Sequence, residues 1–333
     1  MEELLAMLRA AGDATRLRIL MLLGEAELTV TELTQILGQS QPRVSRHLKL
    51  LCDAGLLQRF KEGSWVFYRS AERGERALFT STLVALVTRD VEPFASDRRR
   101  FASVRETHAA TAAAFFKANA SDWERIRSLH APEQEVEAAI VRFVRASPSD
   151  ALLDAGTGTG RMLELLAPQI RRGVGVDVSP EMLAIARDRL ERAQAHHCQV
   201  RLADVYRLPF EAANGEHGFD VALFHQVLHY LDDPQAAVVE AARLLKPDGR
   251  LLIVDFAPHD LEFCRSELAH RRLGFLDDEV SGWFAAAGLK SLASESIAPD
   301  EDAAPGCDGK LTVRIWVGEM ARLPVRTRTK VAA

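Results

Sequence analysis

Near the start of the chain, apolar residues recur at Leu4, Leu8, Ile19, Leu22 and Leu23, the spacing of a helical face. Gly12-Asp13-Ala14 interrupts the pattern, so two helices are predicted. Thr29-Val-Thr-Glu32 fits a capping box, with a hydroxyl at the cap and a carboxylate three residues on; the helix it opens stops at Gly38. A four-residue turn leads to a further helix, bracketed by Pro42 and Gly55. Alternation then replaces the helical period over residues 57–60 and 65–69, across Lys61-Glu-Gly63-Ser64, and predicts a hairpin. Two helices joined by a short turn and followed by a hairpin form a winged helix-turn-helix. Residues 73–88 are helical again, apolar at Ala77, Leu78, Leu83, Val84 and Val87. Asp97-Arg-Arg-Arg100 reads as a solvated linker, with contact to DNA as the alternative. Residues 107–116 and 123–144 read as helices, the second broken at Ala131-Pro132.

From residue 151 short apolar runs each end in a polar residue: Asp154, Asp177, Asp204, His225 and Asp255. Helical patterns such as 234–245 separate the runs, and Ser179-Pro180 reads as a cap followed by proline at the first helical position. Strands alternating with helices imply a parallel sheet covered on both faces. Ligands of such sheets lie beyond the carboxyl ends of the strands, where those polar residues fall. The first run enters Asp154-Ala-Gly156-Thr-Gly158-Thr-Gly160, and a helix follows from Arg161. Glycine permits positive φ and close approach to the backbone, and a helix N-terminus offers unpaired N–H groups. The dinucleotide fingerprint would place its third glycine at 161, where Arg161 stands. After the fifth strand, residues 259–275 read as an inserted helical cover and 277–288 as a helix. Residues 289–297 and 310–317 read as the last two strands, across an acidic loop at 299–309. The tail from Pro324 has no apolar pattern and is expected to be disordered.

The chain has 333 residues, enough for two domains, and 47% hydrophobic content, enough for two cores. A net charge of −5 excludes a globally polybasic protein, so any nucleic-acid face must be local. Residues 39–69 supply one: six bases and two acids, a local charge of +4. Cys52, Cys198, Cys264 and Cys307 are far apart, with no Cys-x-x-Cys, so neither a metal site nor a disulfide framework is expected. Together with an acidic N-terminus lacking a signal-peptide pattern, and no apolar run near the roughly 18 residues a membrane span needs, this predicts a cytoplasmic protein with no membrane partner.

Ala11-Gly-Asp-Ala-Thr-Arg-Leu-Arg-Ile-Leu20 and Ser40-Gln-Pro-Arg-Val-Ser-Arg-His-Leu-Lys-Leu-Leu-Cys-Asp-Ala-Gly-Leu-Leu57 resemble the two signatures of the ArsR/SmtB family of bacterial repressors. The resemblance covers about residues 1–90 and implies binding to a double-stranded DNA operator. Gln41, Arg43, Ser45, Arg46 and His47 would meet the groove, with Lys49 on the same helix, and Arg59 and Lys61 on the wing would meet phosphates. It also implies a homodimer, joined through the helix at 73–88. Two departures stand out. Thr29-Val30-Thr31 occupies the place of the arsenic sensors' Cys-Val-Cys, and a hydroxyl cannot replace a thiolate toward As(III). The stretch 73–90, where zinc sensors of the family carry Asp and His ligands, has no histidine. The DNA-binding part is therefore expected to have lost its own sensor site.

The Asp-x-Gly-x-Gly-x-Gly stretch, with its acid-tipped strands, resembles motif I of the class I S-adenosylmethionine-dependent methyltransferases. That implies a doubly wound Rossmann-like sheet with an antiparallel last strand, and S-adenosylmethionine or S-adenosylhomocysteine as ligand. Asp154, Gly156, Thr157 and Gly158 would form the loop, and Asp177, beside Val178, would accept the ribose hydroxyls. Asp204 and Val205 would flank the adenine, Met182 would pack on its ring or in the core, and His225 would stand at the fourth strand's tip. Phe115, Phe116 and Trp123 would close over the cofactor or simply pack helices. His225, His229, His259 and His270 are candidate bases for methyl transfer. After the fourth strand stands Phe-His-Gln-Val, not Asn-Pro-Pro-Tyr, which resembles small-molecule methyltransferases of the ubiquinone-biosynthesis type. The expected layout is a DNA-binding and dimerisation domain at 1–92, a helical linker at 93–120, a methyltransferase domain at 121–322 and a tail at 323–333. The expected function is a transcription regulator, a repressor, that binds the nucleoside and controls methionine and methyl-cycle genes. The alternative is an active small-molecule methyltransferase with an autoregulatory DNA-binding domain.

Overall fold

The computed structural model describes residues 1–62, 64–71, 74–88, 91–120, 123, 133–145, 150–212, 218–298 and 311–321. The chain divides into two units: Met1–Ala112 with Asp260–Leu273, and Ala113–His259 with Gly274–Ala333. The expected helix break at 131–132, the loop at 299–309 and the tail from Pro324 lie outside the described residues.

In the first unit, helices α1 (Glu2–Ala11) and α2 (Ala14–Leu23) are separate because Asp13 caps α2, accepting from the N–H groups of Thr15 and Arg16 at 2.9 and 3.1 Å. Strand β1 (Leu28–Thr29) leads into α3 (Val30–Leu37) through the capping box: Thr29 Oγ1 accepts from Glu32 N at 3.3 Å, and Glu32 Oε2 accepts from Thr29 N at 2.7 Å. Helix α4 (Gln41–Asp53) follows, then the wing, β2 (Leu57–Glu62) and β3 (Trp65–Ser70), in register from Leu57↔Ser70 to Glu62↔Trp65; β1 pairs with β3. Ile19, Leu20, Leu33, Ile36, Leu48 and Leu51 are fully buried and join these elements in one core. Helix α5 spans Gly74–Ala85.

Two expectations change here. Asp97-Arg-Arg-Arg100 is not a solvated linker. It lies inside a 26-residue helix, α6 (Phe94–Asn119), which also absorbs the expected helix at 107–116. Asp97 is 3% exposed and accepts both Arg18 nitrogens, at 2.5 and 2.6 Å, and Arg100 at 2.7 Å. Helical spacing sets Asp97 and Arg100 one turn apart, and Arg18 on α2 supplies the charge that makes burial tolerable. The second change concerns the insertion after the fifth sheet strand. Its residues 260–273 belong to the first unit, because their partners are there: Arg271 and Arg272 are buried and pair with Glu32 and with Glu27 and Glu62.

The second unit is a seven-stranded sheet: β4 (Ala151–Ala155), β5 (Arg172–Asp177), β6 (Cys198–Leu202), β7 (Phe219–His225), β8 (Leu245–Phe256), β9 (Leu289–Ile297) and β10 (Val313–Met320). The order is β6-β5-β4-β7-β8-β10-β9, parallel from β6 to β8, with β10 antiparallel to both neighbours. The sheet carries helices α7 (Glu133–Arg145), α8 (Arg161–Leu166), α9 (Pro180–Arg192), α10 (Pro234–Ala242) and α12 (Asp277–Ala286); the short α11 (Phe263–Glu267) lies in the insertion. Ser179 caps α9 and Asp233 caps α10, each with proline next. Neighbouring residues on the central strands are buried alike (Leu152 with Leu153, Leu251 with Leu252 and Ile253), as expected of a parallel sheet covered on both faces. Among the described residues, no helix is long and apolar enough to cross a membrane.

Candidate cofactor site and nucleic-acid interface

The glycine loop between β4 and α8 folds back on β5. The N–H groups of Gly156 and Thr157 both donate to the Val176 carbonyl, at 2.8 and 2.9 Å. Asp154 is buried at the tip of β4, and its Oδ2 accepts the Thr157 hydroxyl at 2.6 Å, so this acid shapes the loop from beneath. Asp177 ends β5: its Oδ2 accepts from Gly158 N and its Oδ1 from Ser179 N, both at 2.9 Å. Burial raises the Asp177 pKa, against the lowering effect of these backbone hydrogen bonds. A carboxylate offers about four acceptor positions, so two backbone donors leave room for ribose hydroxyls.

The two glycines expected to admit a ligand have different roles. Gly156 (φ +78°) faces the protein, and a Cβ there would lie 2.5 Å from Cγ2 of Val227. Gly158 (φ +52°) is loosely surrounded, the nearest atom to a Cβ being Trp123 Nε1 at 3.8 Å, an ordinary contact. A side chain is therefore excluded by close packing at Gly156, while at Gly158 the neighbours leave room.

Ala203 N donates to the Asp177 carbonyl at 3.0 Å, setting exposed Asp204 just past β6. Asp204 Oδ1 accepts from Tyr206 N at 2.9 Å, and Val205 is buried. Val178 is exposed. Met182 is buried, 2% exposed. His225 is half-buried at the tip of β7.

The candidate bases differ in their surroundings. His229, in a single turn at Leu228–Tyr230, places Nδ1 2.7 Å from Oδ1 of Asp255 on β8, and both residues are essentially fully buried. His259 meets the Phe256 ring edge-on, with centroids 6.1 Å apart, and His270 belongs to the first unit. Two residues here carried no signal in the sequence. Gln226 is buried with φ +55°, a conformation disfavoured for any residue with a Cβ, and its N–H donates to Val254 O at 2.7 Å. Tyr230 packs edge-on to Phe116 at 4.8 Å, and Phe116 packs on Trp123 at 5.4 Å. The aromatic group beside the loop thus contains Phe115, Phe116 and Trp123, the three named from the sequence, and Tyr230, which was not.

In the first unit, α4 buries Val44, Leu48 and Leu51 and exposes Gln41, Arg43, Ser45, Arg46 and Lys49. His47 differs: it is partly buried, its Nδ1 lies 3.7 Å from Oδ1 of Asp13, and burial, with the charges of Arg16, Arg43 and Arg46, lowers its pKa. Arg59 and Lys61 are exposed on β2. Lys49 pairs with Asp53 at 3.0 Å, and Arg69 with Glu27 at 3.3 Å. Thr29 spends its hydroxyl in the capping box. A groove of about 850 Å³ between α1 and α5 is lined by Leu4, Met7, Leu8, Leu78, Leu83 and Leu86 among others. Leu78 and Leu86 are 69% and 79% exposed there.

Residues 13–59 match the family model described as bacterial regulatory protein, arsR family, and residues 153–253 match the one described as methyltransferase domain. The arsenical resistance operon repressor of Escherichia coli K12 is 54% identical over 59 residues, 17% of this chain and 50% of that protein. An uncharacterised 37.1 kDa protein in transposon TN4556 of Streptomyces fradiae is 36% identical over 137 residues, 38% of this chain and 37% of that one. A demethylmenaquinone methyltransferase of Tropheryma whipplei is 33% identical over 119 residues, 36% and 47% of the two chains. The chain spans half or less of the length of these curated relatives. A solved complex of the Haloferax volcanii Trm112 activator with a methyltransferase superposes with a TM-score of 0.52 at 23% identity, covering 64% of this chain and 98% of that one, a likeness of fold. The chain therefore carries an ArsR-family helix-turn-helix in its N-terminal part and a methyltransferase domain on a Rossmann-like sheet in its C-terminal part.

Proposed function

We propose that this chain is a transcription regulator, a repressor, that binds a double-stranded DNA operator as a homodimer in the cytoplasm. Its methyltransferase-fold unit binds S-adenosylmethionine or S-adenosylhomocysteine as an effector, and its targets are genes of the methionine and methyl cycle. The observation that carries this reading is Thr29. It stands where a metal thiolate would stand in an arsenic sensor, and its hydroxyl is committed to capping α3. The recognition helix beside it keeps Arg43 and Arg46 exposed. A repressor with an intact reading face and no thiolate sensor needs another ligand to switch it. The open face of Gly158 beside Asp177 offers a nucleoside site. Exposed Leu78 and Leu86 on the α1/α5 groove support a second copy as the dimer partner. The test is operator binding with and without each nucleoside, using an operator selected from random duplexes.

The alternative reading, a working methyltransferase with an autoregulatory DNA-binding domain, is favoured by one observation, the buried His229–Asp255 pair. A carboxylate on Nδ1 fixes the imidazole tautomer and ring orientation, as a general base for a protic acceptor requires. Methyl transfer to a candidate acceptor that vanishes in His229→Ala, with nucleoside affinity retained, would support it.

A further inference from the structure

The insertion after β8 leaves and returns at one place. Phe275 N donates to the carbonyl of Phe256, the last residue of β8, at 3.0 Å. Gly274 approaches Ala257 so closely that a Cβ would lie 2.2 Å from its carbonyl oxygen. Both feet of the insertion therefore stand at the carboxyl end of β8, beside Asp255 and its partner His229. The body between them, Asp260–Leu273, belongs to the first unit.

Within the first unit, that body grips the turn of the wing. Glu62, the last residue of β2, accepts from Arg265 Nη2 at 2.8 Å, from Arg272 Nε at 3.3 Å and from Leu273 N at 2.8 Å. Across the turn, Ser64 N donates to Glu262, and the Arg265 guanidinium lies 4.4 Å from the Trp65 ring centre. Arg272 also reaches Glu27 at 2.6 Å, and Arg271 places two nitrogens 3.0 Å from Oε1 of Glu32, the capping-box acid of α3. These arginine side chains are 6–8% exposed. Buried charges paired in this way resist separation, because moving one partner strands the other. The body is thus a stiff grip on the wing, joined through the chain at both ends to the residues that follow β8. Lys61, next to Glu62, and Arg59 are the wing's exposed bases.

We propose that Asp260–Leu273 is the strap through which nucleoside occupancy at the glycine loop resets the wing and so changes operator affinity. This rests on the regulator reading above. The strap biases the wing between two settings, and Glu62 is the point where it takes hold.

The test uses the full chain, wild type and Glu62→Gln, with S-adenosylmethionine and S-adenosylhomocysteine as probes. Three quantities are measured: nucleoside affinity, operator affinity with and without nucleoside, and amide hydrogen exchange of the wing. In wild type, nucleoside changes wing exchange and shifts operator affinity. In Glu62→Gln, nucleoside affinity stays within twofold of wild type, the wing response is lost, and the operator affinity ratio falls to within twofold of one. A Glu62→Gln chain that keeps the wild-type ratio, or a wild-type wing whose exchange ignores the nucleoside, overturns the strap alone. A wild type that binds the nucleoside with no operator shift overturns the regulator reading and the strap with it. If Glu62→Gln fails to fold, Arg265→Lys replaces it, with the same losses expected, because it keeps the charge on Glu62 but removes the planar contact with Trp65.

Discussion

Gly158 donates its backbone N–H to Oδ2 of Asp177 at 2.9 Å, tying the open face of the glycine loop to the acid at the tip of β5. The loop and Asp177 are therefore one unit, and Asp177 has a structural duty besides the ligand contact proposed for it. Asp177→Ala is expected to weaken S-adenosylhomocysteine binding by about 1–3 kcal/mol, measured by calorimetry. An unchanged affinity would remove Asp177 from the site.

The two loop glycines should respond differently to one added methyl. At Gly156 it meets Val227, so Gly156→Ala is expected to lower thermal stability, at a cost of about 1–3 kcal/mol. At Gly158 the methyl meets only Trp123 Nε1 at 3.8 Å, so Gly158→Ala is expected to weaken nucleoside binding with a smaller loss of stability, that of a Cβ at φ +52°. Melting and calorimetry on both variants check this; the reverse pattern would exchange the roles.

The sequence foretold much of this architecture, because local rules decide it. Thr29 and Glu32 form the capping box that their spacing announced, and the acid-tipped runs are the parallel strands. What stayed hidden depends on distant partners. Asp97-Arg-Arg-Arg100 looks solvated until Arg18, 79 residues away in sequence, is placed beside Asp97. Arg271 and Arg272 look like surface charge until Glu32, Glu27 and Glu62 are placed around them. The left-handed Gln226 has no local signature, since no glycine marks it.

Glu32 makes stability depend on pH. Burial alone would raise its pKa, but the His108 hydrogen bond, the Arg271 charge and the Thr29 cap hold it near 2, down from an ordinary 4.5. A depressed folded-state pKa gives stability that is complete above the unfolded value and lost as pH falls from about 4.5 toward about 2. The whole effect is on the order of 3 kcal/mol. Denaturant melts of wild type and Glu32→Gln should therefore converge as pH falls through that window. A gap that stays constant would mean Glu32 is not the group that titrates.

On the DNA face, Arg43→Ala or Arg46→Ala is expected to weaken selected-operator binding by about 1–3 kcal/mol. Lys61→Ala should weaken all duplexes alike and reduce the salt slope by about one. His47→Ala should matter less for base reading, because its Nδ1 faces Asp13. Fluorescence anisotropy across a salt series separates the three, and a purified chain with no salt-dependent DNA binding would contradict the regulator reading.

Charging the α1/α5 groove should abolish association. Leu78→Glu with Leu86→Glu is expected to yield monomers by sedimentation, with the folding of each unit intact and affinity for a palindromic operator reduced. A variant that remains dimeric would place the seam elsewhere.

In the regulator proposed above, one chain reads DNA and a nucleoside together. The most direct measurement is an operator titration at fixed salt, with no ligand, with S-adenosylmethionine and with S-adenosylhomocysteine, in wild type and in Asp177→Ala. A coupling of about 1–3 kcal/mol shifts wild-type operator affinity roughly 5- to 150-fold. The two nucleosides should shift it unequally, because only one carries charge at sulfur, and Asp177→Ala should need more of either. Superimposed wild-type curves under all three conditions, with nucleoside binding shown in the same sample, would contradict it.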